Sequence, residues 1–235
     1  MKIFDRSFNT PQENLSCDEA LLDESEASDG GEVLRFWTSP AHFVVLGYSN
    51  IWKDEVETRT VIPVFRRCSG GGTVLQGPGC LNYALILKIK PDGPLANIRS
   101  TNEFVMRRQR EVLSEVLGKD VRVQGHTDLT LGALKFSGNS QRRKKSRILF
   151  HGTFLLNFEL EQIGGCLKLP TKQPGYRENR PHSDFVTNLG VSEAKVKEAL
   201  RKKWHAEKEL KTPPLERMMS LVKERYSREE WNHKF

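Results

Sequence analysis

This sequence of 235 residues has no uninterrupted apolar run approaching the roughly 18–20 residues that a bilayer span needs, and its charged start, Lys2, Asp5 and Arg6, has no apolar stretch behind it. No membrane anchor, secretory leader or membrane partner is expected. Cysteine is scarce. Cys17, Cys68, Cys80 and Cys166 form no Cys-x-x-Cys pair and keep no regular spacing, which argues against a zinc site and a disulfide framework. This unpaired pattern fits an expected location in the reducing cytoplasm. Internal repeats and low-complexity tracts are lacking as well. The formal charge of +7 is concentrated in Arg142-Arg143-Lys144-Lys145-Ser146-Arg147 and toward the C-terminus, without aromatic interleaving or a helix-turn-helix pattern. Such a field favours an anionic partner, but nothing in it points to nucleic acid.

The length suffices for one catalytic domain, 1–235, with a full core. Leu15, Ala20, Leu21 and Leu22 among acids predict an opening helix over 14–25, packed by one face. Strands are predicted over 33–37 and 42–46, a short helix over 51–58, and strands over 61–66 and 80–89. Apolar positions at Phe104, Val105, Val112, Leu113, Val116 and Leu117 call for a long amphipathic helix over 97–117, closed by Gly118. Strand-like pieces follow over 121–123, 128–136 and 148–158, the middle one interrupted at Gly132. The aperiodic, proline-rich stretch 169–184 reads as a long loop, and helices are predicted over 194–208 and 215–226 around Pro213-Pro214.

The run Arg66-Arg67-Cys68-Ser69-Gly70-Gly71-Gly72-Thr73-Val74 carries the most chemistry. Glycines bring bare backbone N–H groups up to an anion, and arginine adds charge-assisted hydrogen bonds, so this is the pattern of a phosphate or carboxylate site. Neighbouring strand residues face opposite ways; one arginine should enter the site while the other finds a structural partner. A surface hairpin turn is the plainer alternative.

Two further segments join it: Thr127-Asp128-Leu129-Thr130 leading into Lys135-Phe136-Ser137-Gly138-Asn139-Ser140-Gln141, and His151-Gly152-Thr153. In this order and spacing the three resemble the lipoate-protein ligase family, over nearly the whole chain. The resemblance implies an α+β fold of mixed, largely antiparallel sheets with flanking helices, the biotin/lipoate-protein ligase (class II synthetase-like) catalytic domain. It further implies a ligase that joins lipoate or octanoate to AMP with ATP and Mg2+, then to a lysine of a carrier. Arg67, Ser69, Gly70, Gly71, Gly72, Thr73, Val74, Asn82 and Asp128 would contact the nucleotide, Asp128 as a magnesium ligand or as an orienter of the lysine. Lys135 would be the catalytic cation. With Ser137 and Gly138, which together with Asn139 would shape a loop behind it, and with His151, Gly152 and Thr153, it would also hold the acyl group, Gly152 leaving room for the chain. The apolar tunnel is expected among Phe36, Trp37, Val44, Leu46 and Val74.

The sister octanoyltransferases dispense with ATP and use a cysteine nucleophile. Gly125, His126 and Thr127 stand where one branch places it, and Cys166 is the candidate for the other, so transfer between carriers through Cys166 is the alternative to ligation. Cys68 would be activated beside the arginines if exposed. Many relatives continue beyond a Trp-Asn segment like Trp231-Asn232 into an accessory domain. Here either a separate accessory subunit supplies that part or none is needed. The expected partner is an acidic lipoyl-carrier domain, a 2-oxoacid dehydrogenase E2 or the glycine-cleavage H protein, steered by the 142–147 cluster.

Overall fold

In chain order the strands are β1 (Lys2–Asp5), β2 (Val33–Trp37), β3 (Phe43–Leu46), β4 (Val64–Arg66), β5 (Val74–Gln76), β6 (Cys80–Lys88), β7 (Val121–Gln124), β8 (Asp128–Leu131), β9 (Leu134–Arg143), β10 (Arg147–Leu155) and β11 (Lys208–Glu209). The helices are α1 (Pro11–Ser28), α2 (Trp52–Glu55), α3 (Ile98–Leu117), α4 (Glu161–Cys166), α5 (His182–Phe185), α6 (Glu193–Lys203), α7 (Leu215–Leu221) and α8 (Glu229–Asn232). The computed structural model describes residues 1–28 and 30–235. A large mixed sheet runs β11-β1-β2-β6-β10-β9-β8-β7, antiparallel from β2 onward, with β1 parallel to both neighbours. A smaller sheet has the order β4-β3-β5.

Both faces of the large sheet are covered, which is why β2 is buried at every residue, Arg35 included, and β6 at every residue up to Leu87, Asn82 included. On one face Leu34, Phe36, Leu85 and Phe150 meet Val105 and Leu113 of α3 and Val196 and Leu200 of α6. On the other, Val33, Ala84, Ile86 and Leu149 meet Ala20, Leu21 and Leu22 of α1 and Met218 and Leu221 of α7. Helix α3 forms where its periodicity predicts. Asn97 and Ser100 close a capping box at its start and Gly118, in the left-handed region at φ 61°, ends it.

The single buried face expected for α1 is overturned. Wedged between the sheet and the C-terminal helices, it buries Asn14 through Leu22 without a break, acids included. Each buried acid therefore needs a partner. Glu19 accepts from the Tyr226 hydroxyl (2.7 Å) and from Arg225, while Asp18 faces Arg35.

The segment expected as a loop at Ser137-Gly138-Asn139 is strand. Antiparallel pairing with β10 runs from Ser137–Phe154 to Arg143–Ile148, so it satisfies the backbone far past the break at Gly132. The 194–208 helix stops at Lys203; Lys208 and Glu209 instead add a parallel edge to β1. The 169–184 stretch is irregular as predicted but holds a 3-10 turn (Gly175–Arg177) and runs into α5.

Arg66 ties the chain end to the small sheet. Fully buried, it donates to the carbonyls of Gly47 (2.9 Å), Tyr48 (3.1 Å), Asn50 (2.8 Å), Trp231 (3.1 Å) and Asn232 (3.0 Å). Trp231 returns a bond from its indole nitrogen to the Arg66 carbonyl (2.9 Å). Replacing this guanidinium strands buried carbonyls. Arg66→Met is expected to lower the unfolding free energy by about 3 kcal/mol, read as a lower urea midpoint.

Candidate active site

Strand alternation separates the two arginines. Arg66 goes to the structural carbonyls above, and Arg67 folds back into the glycine loop. Its Nη2 donates to the carbonyls of Gly70 (2.6 Å) and Gly72 (2.8 Å), and its Nε to Ser69 Oγ (3.1 Å). Burial pushes this guanidinium down to about 10. Because a trans peptide sets C=O and the following N–H on opposite sides, carbonyls drawn to Arg67 turn the Gly71 and Thr73 amides away from it. Gly71 takes φ 89°, a conformation that disfavours side chains. Its carbonyl passes so close to Gly47 that a Cβ there would stand 1.9 Å away.

Polar contacts seat this loop and its small sheet on the large one, among them the bond that Asn82 Nδ2 of β6 donates to Gln76 Oε1 of β5 (3.1 Å). Ser140 Oγ donates to the Gly70 carbonyl (2.7 Å), Ser69 Oγ meets His151 Nε2 (2.6 Å), and Gln76 Nε2 donates to Thr153 Oγ1 (2.6 Å). Behind them His151 Nδ1 donates to Asp18 Oδ2 (3.2 Å), and Arg35 holds the other Asp18 oxygen. Burial alone would raise the Asp18 carboxyl. The Arg35 guanidinium and then the His151 contacts outweigh it, holding it below the usual carboxylate range. With a neutral imidazole, Ser69 is the donor to Nε2.

Strand β9 brings Lys135 to the other side of the same space. Its Nζ lies 2.8 Å from Asp128 Oδ1 and rests against Gly138, where a Cβ would approach it to 3.0 Å. The second Asp128 oxygen accepts from the Tyr176 hydroxyl (2.7 Å). Both oxygens being engaged, Asp128 has the geometry of the lysine's orienter. Among the described residues no group of three His, Cys, Asp or Glu side chains is placed to hold a metal ion.

Between these elements opens a cavity of about 780 Å³. Of the residues singled out in the sequence, Arg67, Gly71, Gly72, Thr73, Val74, Asn82, Asp128, Lys135, Gly138, His151, Gly152 and Thr153 line it. Ser69, Gly70 and Ser137 stand behind the wall: Ser69 on His151, Gly70 under Arg67 and Ser140, and Ser137 accepting from Asn139 (3.2 Å). The apolar wall includes Leu15, Trp37, Val45 and Val74. Phe36, Val44 and Leu46 lie in the core instead, since alternation along β2 and β3 turns them from Trp37 and Val45. Gly152 does not leave room for a chain. Asn139 Oδ1 fills that space, 1.8 Å from where a Cβ would be.

The lipoyl protein ligase A/B catalytic domain, as a family, matches residues 10–203. The chain belongs to this family. It is 25% identical to the lipoate-protein ligase LplJ of Bacillus subtilis, over 98% of this chain and 72% of that one. Several other curated relatives are longer, and the chain spans about half their length. Its fold is shared with a chain from the structural analysis of a bipartite lipoate protein ligase and its E2 lipoyl domain from Thermoplasma acidophilum (TM-score 0.80, 22% identity, 99% and 95% of the two chains). A lipoate-protein ligase A bound with ATP superposes nearly as well (TM-score 0.77, 23% identity, 99% and 98%).

In this lipoyl ligase-type domain all four cysteines are buried. Burial raises the Cys68 thiol rather than activating it. Cys166 packs with Val44, Leu46, Val56 and Phe158, away from the cavity wall. The basic cluster is partly committed to contacts within the molecule. Arg143 binds Thr101 and the Leu95 and Ala96 carbonyls, Lys144 pairs with Asp23, and Arg147 reaches Ser25. Arg142, Lys144 and Lys145 are exposed. No helix among the described residues is long and apolar enough to cross a membrane.

Sequence reading gave no role to Asp18, Ser140 or the residues of 169–186 that wall the cavity, among them Pro174, Arg177 and His182. His182 locks that segment: its Nε2 donates to the Lys168 carbonyl (3.1 Å) and its Nδ1 accepts from Arg177 (3.3 Å). Burial lowers its value below the usual 6.5. A depressed histidine stabilises the folded segment above about 6.5, and that contribution is lost as pH falls through the folded value. Proteolysis within 169–186 should therefore quicken below pH 6 in the wild type, and His182→Gln should flatten this dependence.

Proposed function

We propose that the chain is an ATP-dependent lipoate-protein ligase, which activates lipoate or octanoate as the acyl-adenylate and passes it to a lysine of an acidic lipoyl-carrier domain. The observation that carries this reading is that the Lys135 amine, held by Asp128 against Gly138, opens onto the same cavity as Gly71, Gly72 and Thr73. Adenylation brings two anions together: a carboxylate oxygen bonds to the α-phosphorus as the bond to pyrophosphate breaks. Lys135 supplies a fixed positive charge between them, and the loop amides turned from Arg67 supply oriented dipoles. In the second half the carrier lysine's amine attacks the acyl carbonyl, the bond to AMP breaks, and the amine loses a proton.

The wall divides the substrate accordingly. The apolar strip of Leu15, Trp37, Val45 and Val74 suits an alkyl chain, and the loop and lysine suit its carboxylate end and the phosphates. Asp128 already serves Lys135 and Tyr176, so Mg2+ would enter with the nucleotide rather than into a protein cage. Names among the relatives support each part: a lipoate-protein ligase in Bacillus subtilis, an ATP complex of a shared fold, and an E2 lipoyl domain as partner of the Thermoplasma protein. That protein's bipartite build supports a separate accessory subunit for this chain too. A glycine-cleavage H protein is a second acceptor of the same chemistry.

Purified protein incubated with lipoate, ATP, Mg2+ and an apo lipoyl domain should transfer the acyl group, scored by the mass of the acceptor. Lys135→Ala should slow this by about 10²–10³ or more, the range for losing one preorganised charge, and Cys166→Ala should leave it intact. Modification from an octanoyl carrier without ATP, abolished by Cys166→Ala, would replace this reading with the transferase.

A further inference from the structure

Tyr176 does not line the cavity, yet its hydroxyl contacts the carboxylate that holds the lysine. It comes from the 3-10 turn of a segment distant in sequence from β8 and β9, and several contacts fix its place. Its ring lies against that of Phe185, with centroids 5.3 Å apart. A Cβ on Gly125 would stand 3.7 Å from its Cε1, so the β7–β8 turn forms the other wall. Arg180 bridges the Tyr176 carbonyl (2.8 Å) and that of Ala133 (3.1 Å), between β8 and β9. Further on, Thr187 N–H donates to the Lys135 carbonyl (2.9 Å). The 169–186 segment is thus fastened to the hairpin that bears both Asp128 and Lys135.

From this arrangement we propose that Tyr176 is a positioning residue, acting through Asp128 to fix the Lys135 ammonium in the cavity. The proposal rests on the ligase reading for its activity readout, but the geometry stands apart from it. A carboxylate bonded at one oxygen can rotate about its last torsion. Bonded at both, by Tyr176 at 2.7 Å and Lys135 at 2.8 Å, it is pinned. Lysine is a flexible stem carrying a point charge, so a group meant to meet two anions at once gains from a pinned partner. Burial and then the Asp128 charge raise the phenol well above its ordinary value, and it remains a donor. The chemistry selects a phenol: phenylalanine keeps the packing on Phe185 and Gly125 and removes only the hydrogen bond.

A double-mutant cycle tests this with full-length protein, lipoate, ATP, Mg2+ and an apo lipoyl domain. Tyr176→Phe should lower kcat about tenfold and leave KM for lipoate within about twofold, since no substrate contact is lost. In an Asp128→Asn background the same change should cost less than about twofold, because its path to the lysine is already cut. Equal losses in both backgrounds, or a loss confined to KM, would overturn the proposal. A second measurement needs no catalysis. Amine-reactive ester labelling, read by mass spectrometry, should modify Lys135 severalfold faster in Tyr176→Phe than in wild type, with exposed Lys145 as the internal reference. An unchanged Lys135 rate would also overturn it. Should the wild type attach no acyl group, the ligase reading fails and the labelling comparison alone decides the role of Tyr176.

Discussion

The site depends on how a small sheet is held against a large one. Ser140 to Gly70, Ser69 to His151 and Gln76 to Thr153 are short polar contacts across the junction, and they fix where the glycine loop stands relative to β9 and β10. A few partners at defined distances specify position where packing alone would tolerate sliding. With that junction set, Gly71 and Lys135, some sixty residues apart in sequence, face one cavity.

The polar network extends inward rather than ending at the wall. Ser69, His151, Asp18 and Arg35 form a buried chain that joins the glycine loop to α1 and β2. Each member would be costly alone at that depth, and together they satisfy one another. Arg67 makes a similar contribution at the loop itself, committing its donors to the Gly70, Gly72 and Val45 carbonyls and the Ser69 hydroxyl. An arginine that reads in the sequence as a ligand for phosphate thereby shapes the loop that presents the amides.

Much of the architecture was legible in the chain. The long helix at 98–117 followed from its apolar period and its Gly118 end, and the break at Gly132 fell where glycine interrupts a strand pattern. Errors had common physical causes. Buried acids in α1 went unseen because a helix covered on more than one side carries no clean apolar stripe. Ser137-Gly138-Asn139, expected as a loop behind Lys135 from the resemblance, is strand because pairing with β10 outweighs local propensity. Tyr176 and His182 lay in a stretch without period, where sequence offers no signal for what a segment packs against.

Local chemistry is what the sequence determined by itself: a glycine run behind two arginines, a lysine seven positions after an aspartate, a histidine-glycine pair on a strand, and the family these together indicate. Residue type and spacing carry that information because they set which groups can donate, accept or bend. Tertiary structure alone decided which arginine braces and which anchors, that Asn139 fills the space beside Gly152, and that a distant phenol meets the carboxylate beside the lysine. Those outcomes turn on contacts between elements far apart along the chain, and such distances are set by the packing of the whole molecule rather than by any local stretch of it.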